Sequence, residues 1–139
     1  MLKTKLLHPE ILQALGSSGH GGKVLIADGN YPGGTRANPA AQRVYLNLAL
    51  GLVTVTDVLR VLVEAIPIEA VAVMLPESGE EPSIYRDFRS ILPPGLALKP
   101  LGRFEFYDTA RDLDTALVIA TGEQRIYANI LLTIGVVMP

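Results

Sequence analysis

The chain contains no cysteine among its 139 residues. That excludes a disulfide framework, a thiol nucleophile and a cysteine-ligated zinc site. Histidine is nearly absent too: only His8 and His20 are present. They are too far apart to pair at a metal, and the carboxylates show no ligand spacing. Charge of one sign is also lacking. The net charge is −2 and the lysines and arginines are scattered, so there is no electrostatic footprint for nucleic acid and no basic stripe for a membrane. The longest uncharged runs, Val44–Thr56 and Ile126–Pro139, fall short of the ~20 residues of a spanning helix. The N-terminus lacks a long apolar segment before a small-residue cleavage site. A soluble, cytoplasmic protein that engages neither nucleic acid nor membrane is expected.

Apolar residues make up 49% of the chain and charged ones 19%, which predicts an ordered core rather than disorder. The length fits one domain over residues 1–139. Mean hydropathy is +0.33, high for a small soluble domain. Beyond Arg125 no charge remains. Such a tail has to be buried, partly as a strand and partly against another subunit, so self-association is expected.

Apolar spacing places a helix after Pro9 through Ile11, Leu12 and Leu15, stopped by Gly16-Ser-Ser-Gly19. His20-Gly21-Gly22 reads as a turn, and Val24–Ala27 as a strand buried on both faces. Residues 29–43 form a loop long enough to suggest function. A short strand is expected at Val44–Leu48. A helix follows, capped by Thr54 or Thr56 and running through Val55, Val58, Leu59, Leu62, Val63 and Ile66. Then come a strand at Glu69–Leu75, a helix at Ser83–Leu92, a strand at Leu96–Leu101 and a weak helix at Phe104–Asp112. Strands at Thr115–Ala120 and Asn129–Ile134 complete the pattern. Six strands alternating with four helices predict an α/β fold, three-layer α/β/α, with a mostly parallel six-stranded sheet.

Gly19-His20-Gly21-Gly22-Lys23 is not a phosphate loop: Ser17 and Val24 break the spacing, and the segment leads from helix to strand. No nucleophile elbow is present. His20 is either a general acid/base, since imidazole titrates near neutral pH, or a helix-terminal residue bonded to the last carbonyls. His8 reads as a flank of Pro9. Asp28 ends an apolar strand, where parallel sheets carry ligands, unless it only caps the loop. Arg103 holds oxygens or makes a surface ion pair. Glu123 is a turn residue or part of a site. Tyr127 and Asn129, entering a strand, would present two polar groups on one face, suited to hydroxyls or to a turn.

Four pieces in this order and spacing resemble the fucose mutarotase/ribose pyranase family: Gly19-His20-Gly21; Asp28 with Pro32; Arg103-Phe-Glu-Phe-Tyr107; and Thr121-Gly-Glu123 with Tyr127-Ala-Asn129. The similarity runs from Pro9-Glu10 to Gly135-Val136. Arg103 with its aromatic segment, and Tyr31 before Pro32, resemble the fucose branch. Tyr127-Ala-Asn129 is closer to the ribose form, and the loop after Pro32 matches neither. The resemblance implies exchange of the α and β anomers of L-fucose by acid/base ring opening. His20 and Tyr127 would be catalytic, and Asp28, Arg103, Tyr127 and Asn129 would bind the sugar. It implies no cofactor, no metal, and assembly into a ring such as a decamer. The alternatives are a ribose pyranase-type isomerase, a phosphosugar isomerase using Arg36 and Arg103, and a non-catalytic sugar-binding transport accessory. Because His20 precedes the strand that Asp28 ends, one sugar touches both only if the loop folds back; otherwise a site shared between subunits is expected.

Overall fold

The computed structural model describes all of residues 1–139. In chain order the elements are α1 (Pro9–Ser17), β1 (Lys23–Ala27), β2 (Gln42–Tyr45), α2 (Val55–Leu62), β3 (Ile68–Leu75), α3 (Ile84–Ile91), β4 (Leu98–Gly102), α4 (Arg103–Ala110), β5 (Thr115–Ala120) and β6 (Ile130–Ile134). The strands form one sheet in the order β2-β5-β1-β6-β3-β4. Five strands run the same way; only β6 runs against its neighbours β1 and β3.

Alternation along the central strands divides the core into two layers. Val24 and Ile26 of β1, Leu117 and Ile119 of β5, and Ile130, Leu132 and Ile134 of β6 pack under α1, α2 and α3. Leu25 and Ala27, Val118, and Leu131 point the other way, toward Phe106, Tyr107 and Ala110 of α4. Strands apolar on both faces belong in the middle of such a sandwich. Burying each large aliphatic side chain stabilises the fold by roughly 1.5–3 kcal/mol. The uncharged tail is thereby divided: β6 is a central strand, while Val136, Val137 and Met138 beyond it are exposed. No helix is long and apolar enough to cross a membrane.

Several boundaries differ from expectation, for physical reasons. Helix α2 ends at Leu62 rather than Ile66, and turns in which the amides of Ala65 and Ile66 donate to the carbonyl of Leu62 (2.9 and 3.1 Å) carry the chain on to Pro67. Its N-terminus is fixed by Thr54, which forms a reciprocal capping box with Asp57. Strand β2 occupies Gln42–Tyr45, where it pairs with β5, not Val44–Leu48; the chain turns away after Leu46, and Leu48 is exposed. Strand β4 begins at Leu98, and α4 follows it at once from Arg103.

The direction of β6 positions the site. The five parallel strands deliver Asp28, Arg103 and Thr121 at their carboxyl ends. An antiparallel β6 must start at that same edge, so Tyr127, Ala128 and Asn129 arrive there too. His20, ahead of β1, lies at the opposite edge, where the amide of Gly21 donates to the carbonyl of Ile134, the last residue of β6 (2.9 Å).

Candidate functional site

Asp28 is the centre of the carboxyl-edge site. Only 5% of it is exposed. Its Oδ1 accepts from the amide of Asn30 (2.9 Å). Its Oδ2 accepts from the amide of Ala128 (3.2 Å) and from Nδ2 of Asn129 (3.0 Å). Asn129 closes the exchange by accepting the Asp28 amide at Oδ1 (2.8 Å). Burial pushes the Asp28 carboxyl above the ordinary range, against the opposing pull of these donors. Asn129 is therefore first a partner of Asp28. It does not share a strand face with Tyr127 as the sequence suggested: Tyr127 precedes β6 in a left-handed turn, φ 60°. For a tyrosine that conformation costs about 1–2 kcal/mol, and such strain gathers at functional sites.

Arg103 opens α4 and is exposed. Its Nε donates to the hydroxyl of Tyr107 (3.2 Å), and its guanidinium lies over the rings of Tyr107 (5.6 Å) and Phe104 (5.4 Å). The Tyr107 contact raises the Arg103 pKa further. No carboxylate pairs with Arg103, so the surface ion pair considered from sequence is not what holds it. Tyr31 meets Tyr107 edge to face at 5.4 Å, and its hydroxyl donates to the carbonyl of Arg36 (2.6 Å). Burial pushes the Tyr31 hydroxyl pKa up. Loop 29–43 is thus tied to the site wall.

An open pocket of about 260 Å³ is lined by Asp28, Asn30, Tyr31, Met74, Arg103, Tyr107, Ile126, Tyr127 and Asn129. That volume lies just under the range of pockets for drug-sized ligands. Its contents are a carboxylate, two amides, three phenols and a guanidinium, with two apolar side chains. Asp28, Arg103, Tyr127 and Asn129 come together here.

His20 does not join them. It is exposed, and makes no bond to the carbonyls of α1, which the hydroxyls of Ser17 and Ser18 occupy instead. Its Nε2 lies 2.9 Å from Oε2 of Glu69, near the start of β3. It lines a separate depression with Ser17, Ser18, Gly22 and Gln42. The five residues of β1 separate His20 from Asp28 by roughly 15 Å at ~3.3 Å per residue. Sequence reading missed Glu69, which lies 49 residues from His20 in an unremarkable strand, and Met74, which reads simply as core. It took Glu123 as a turn residue or part of a site. Glu123 is 4% exposed and binds Arg125 through Nε (3.0 Å) and Nη2 (2.8 Å). Burial pushes the Glu123 carboxyl up, but the Arg125 donors outweigh it and hold it below the ordinary range.

Fold and pocket define a three-layer α/β protein with a small polar, aromatic-walled pocket at the carboxyl edge of its sheet. The chain belongs to the RbsD / FucU transport protein family, whose model matches residues 1–137. It is 31% identical to the fucose mutarotase of Homo sapiens, over 94% of this chain and 90% of that one. Its fold is similar to a fucose mutarotase from Streptococcus pneumoniae solved in complex with L-fucose (28% identity, 99% and 100% of the two chains, TM-score 0.83). It is equally similar to Bacillus subtilis RbsD complexed with D-ribose (26% identity, 99% and 100% covered, TM-score 0.84).

Proposed function

We propose that this chain is a monosaccharide mutarotase that interconverts the α and β anomers of a reducing sugar, with L-fucose as its substrate. The observation that carries the reading is the convergence of Asp28, Arg103, Tyr127 and Asn129 on one small cavity, in a chain whose relatives are named for this chemistry. Ring opening requires a proton delivered to the ring oxygen and one removed from the anomeric hydroxyl. The aldehyde then turns about one bond and the ring closes on its other face. Two positioned proton carriers suffice, each worth about 10²–10⁴-fold. Tyr127 is one, at the cavity wall. Asp28 and Asn129 hold hydroxyls, and Arg103 fixes others.

His20 is the second carrier, supplied by a neighbouring subunit of a closed assembly such as a decameric ring. What supports this assignment is the separation of His20 from Asp28 within one chain. The exposed apolar side chains of Tyr45, Leu48, Leu50 and Leu52, close to the carboxyl edge, are surface for such a neighbour. With Nε2–H donated to Glu69, the His20 ring keeps its Nδ1 lone pair free to accept a proton.

Fucose is favoured over ribose by the Arg103–Tyr107 wall and by Met74 and Ile126, which offer apolar surface to a methyl group. The Ala128 methyl of the Tyr127-Ala-Asn129 segment, the feature closer to the ribose form, packs into the core under α1–α3, away from the cavity. Saturation-transfer NMR on L-fucose and D-ribose tests the reading. Faster anomer exchange on fucose, lost in His20→Ala, is expected. Mixed assemblies of His20→Ala and Asp28→Ala subunits should regain part of the activity that each parent lacks. Mixtures as dead as the parents would sink the shared site, and no exchange on either sugar would sink the function.

A further inference from the structure

We infer that Arg125 is a positioning residue that holds Tyr127 in its working geometry; the kinetic part of this rests on the mutarotase reading above. The turn that presents Tyr127 is clamped at both ends. On one side, Nη1 of Arg125 donates to Oδ2 of Asp87 on α3 (2.7 Å), while Nε and Nη2 donate to the buried Glu123. The amide of Arg125 donates to the same Glu123 carboxylate (3.1 Å). On the other side, the amide of Ala128 donates to Asp28. Between the clamps lie only Ile126, exposed, and Tyr127 with φ 60°.

The Arg125 clamp also reaches the other half of the site. The carbonyl of Glu123 accepts from the amide of Gly29 (2.9 Å), next to Asp28. The hydroxyl of Thr121 accepts from the amide of Glu123 (3.2 Å) and donates to the carbonyl of Ala27 (2.7 Å). One guanidinium thus braces α3, the 121–126 turn and the end of β1 together. A left-handed tyrosine persists only where its surroundings over-determine it. Without Arg125 the segment has one anchor, and Glu123 keeps a buried charge with no cation. Arg125 does not line the cavity, so it acts through Tyr127.

The test is a double-mutant cycle with a readout independent of activity. Arg125→Ala should lower catalysed exchange at saturating sugar by about 10²-fold, the scale of a 1 Å misplacement. Arg125→Lys should recover only part, since one ammonium cannot span both carboxylates as the guanidinium fork does. In a Tyr127→Phe background, Arg125→Ala should change the remaining exchange by no more than about twofold, because the two act as one unit. Arg89→Ala, which breaks the exposed pair between Arg89 on α3 and Glu81 in the loop before it, is the control for general loosening of α3. In parallel, protein carrying 3-fluorotyrosine gives a ¹⁹F signal for Tyr127, assigned by its loss in Tyr127→Phe. That signal should shift or broaden in Arg125→Ala and stay in place in Arg89→Ala. An unmoved Tyr127 signal, or losses that multiply across the cycle, would overturn the inference. A native protein inert on both sugars would overturn the enzymatic reading alone, and the ¹⁹F signal would still decide the positioning.

Discussion

Replacing Glu123 by glutamine should cost stability in a way that depends on pH, and the structure sets both the size and the sign. Glu123 accepts three hydrogen bonds from Arg125: the amide and Nε at Oε1, and Nη2 at Oε2. Glutamine keeps one oxygen and turns an NH2 toward Nη2, donor against donor. One charge-assisted bond worth about 1.5–3 kcal/mol is lost, offset in part because a neutral amide is cheaper to bury. A net loss of about 2 kcal/mol should lower the Tm by about 4–8 °C for a chain of this size. The Glu123 carboxyl is held below its ordinary value of 4.5 in the folded protein. Its contribution is therefore complete above about pH 4.5 and disappears as pH falls through the lower folded value. Calorimetry of native protein and Glu123→Gln at pH 7 and in acid should show the gap in Tm closing with acid. Asp28, Asp57 and Glu81 also shift, but they are common to both proteins and cancel in the difference. A gap that is constant with pH, or that widens in acid, would refute the assignment of this stability to the carboxylate charge.

Other outcomes follow from single contacts. Thr54→Ala removes the capping box at α2 and should cost about 1 kcal/mol in thermal or denaturant unfolding. Gly122 packs against the carbonyls of Ala49 and Leu52 with no room for a Cβ; Gly122→Ala should distort the 121–126 turn and weaken sugar binding, measured by calorimetric titration, even where the protein stays folded. Asp28→Asn sets an amide NH2 against buried donors. It should weaken sugar binding by roughly 10- to 100-fold, the equivalent of ~1.5–3 kcal/mol for a hydrogen bond to a charged group; binding within twofold of native would remove Asp28 from the sugar's contacts.

The sequence by itself determined the alternation of strands and helices. Continuous apolar runs at Val24–Ala27 and Thr115–Ala120 and the period-3.6 pattern of Val55–Leu62 are local consequences of burial, and Pro, Gly and Thr54 punctuate them locally. It offered Asp28, Arg103, Tyr127 and Asn129 as candidates one by one, each with a plainer alternative, and the resemblance to a family grouped them. What only the tertiary structure decided is who meets whom. The antiparallel run of β6 brings Tyr127 and Asn129 to the edge where β1 and β4 end, and no local pattern encodes a strand's direction. The same pairing puts His20 at the far edge beside Glu69, which its own neighbours in the chain give no cause to notice. The bond from Arg125 to Asp87, 38 residues away, is likewise a matter of long-range packing. Local chemistry chose the residues; the sheet order chose their partners.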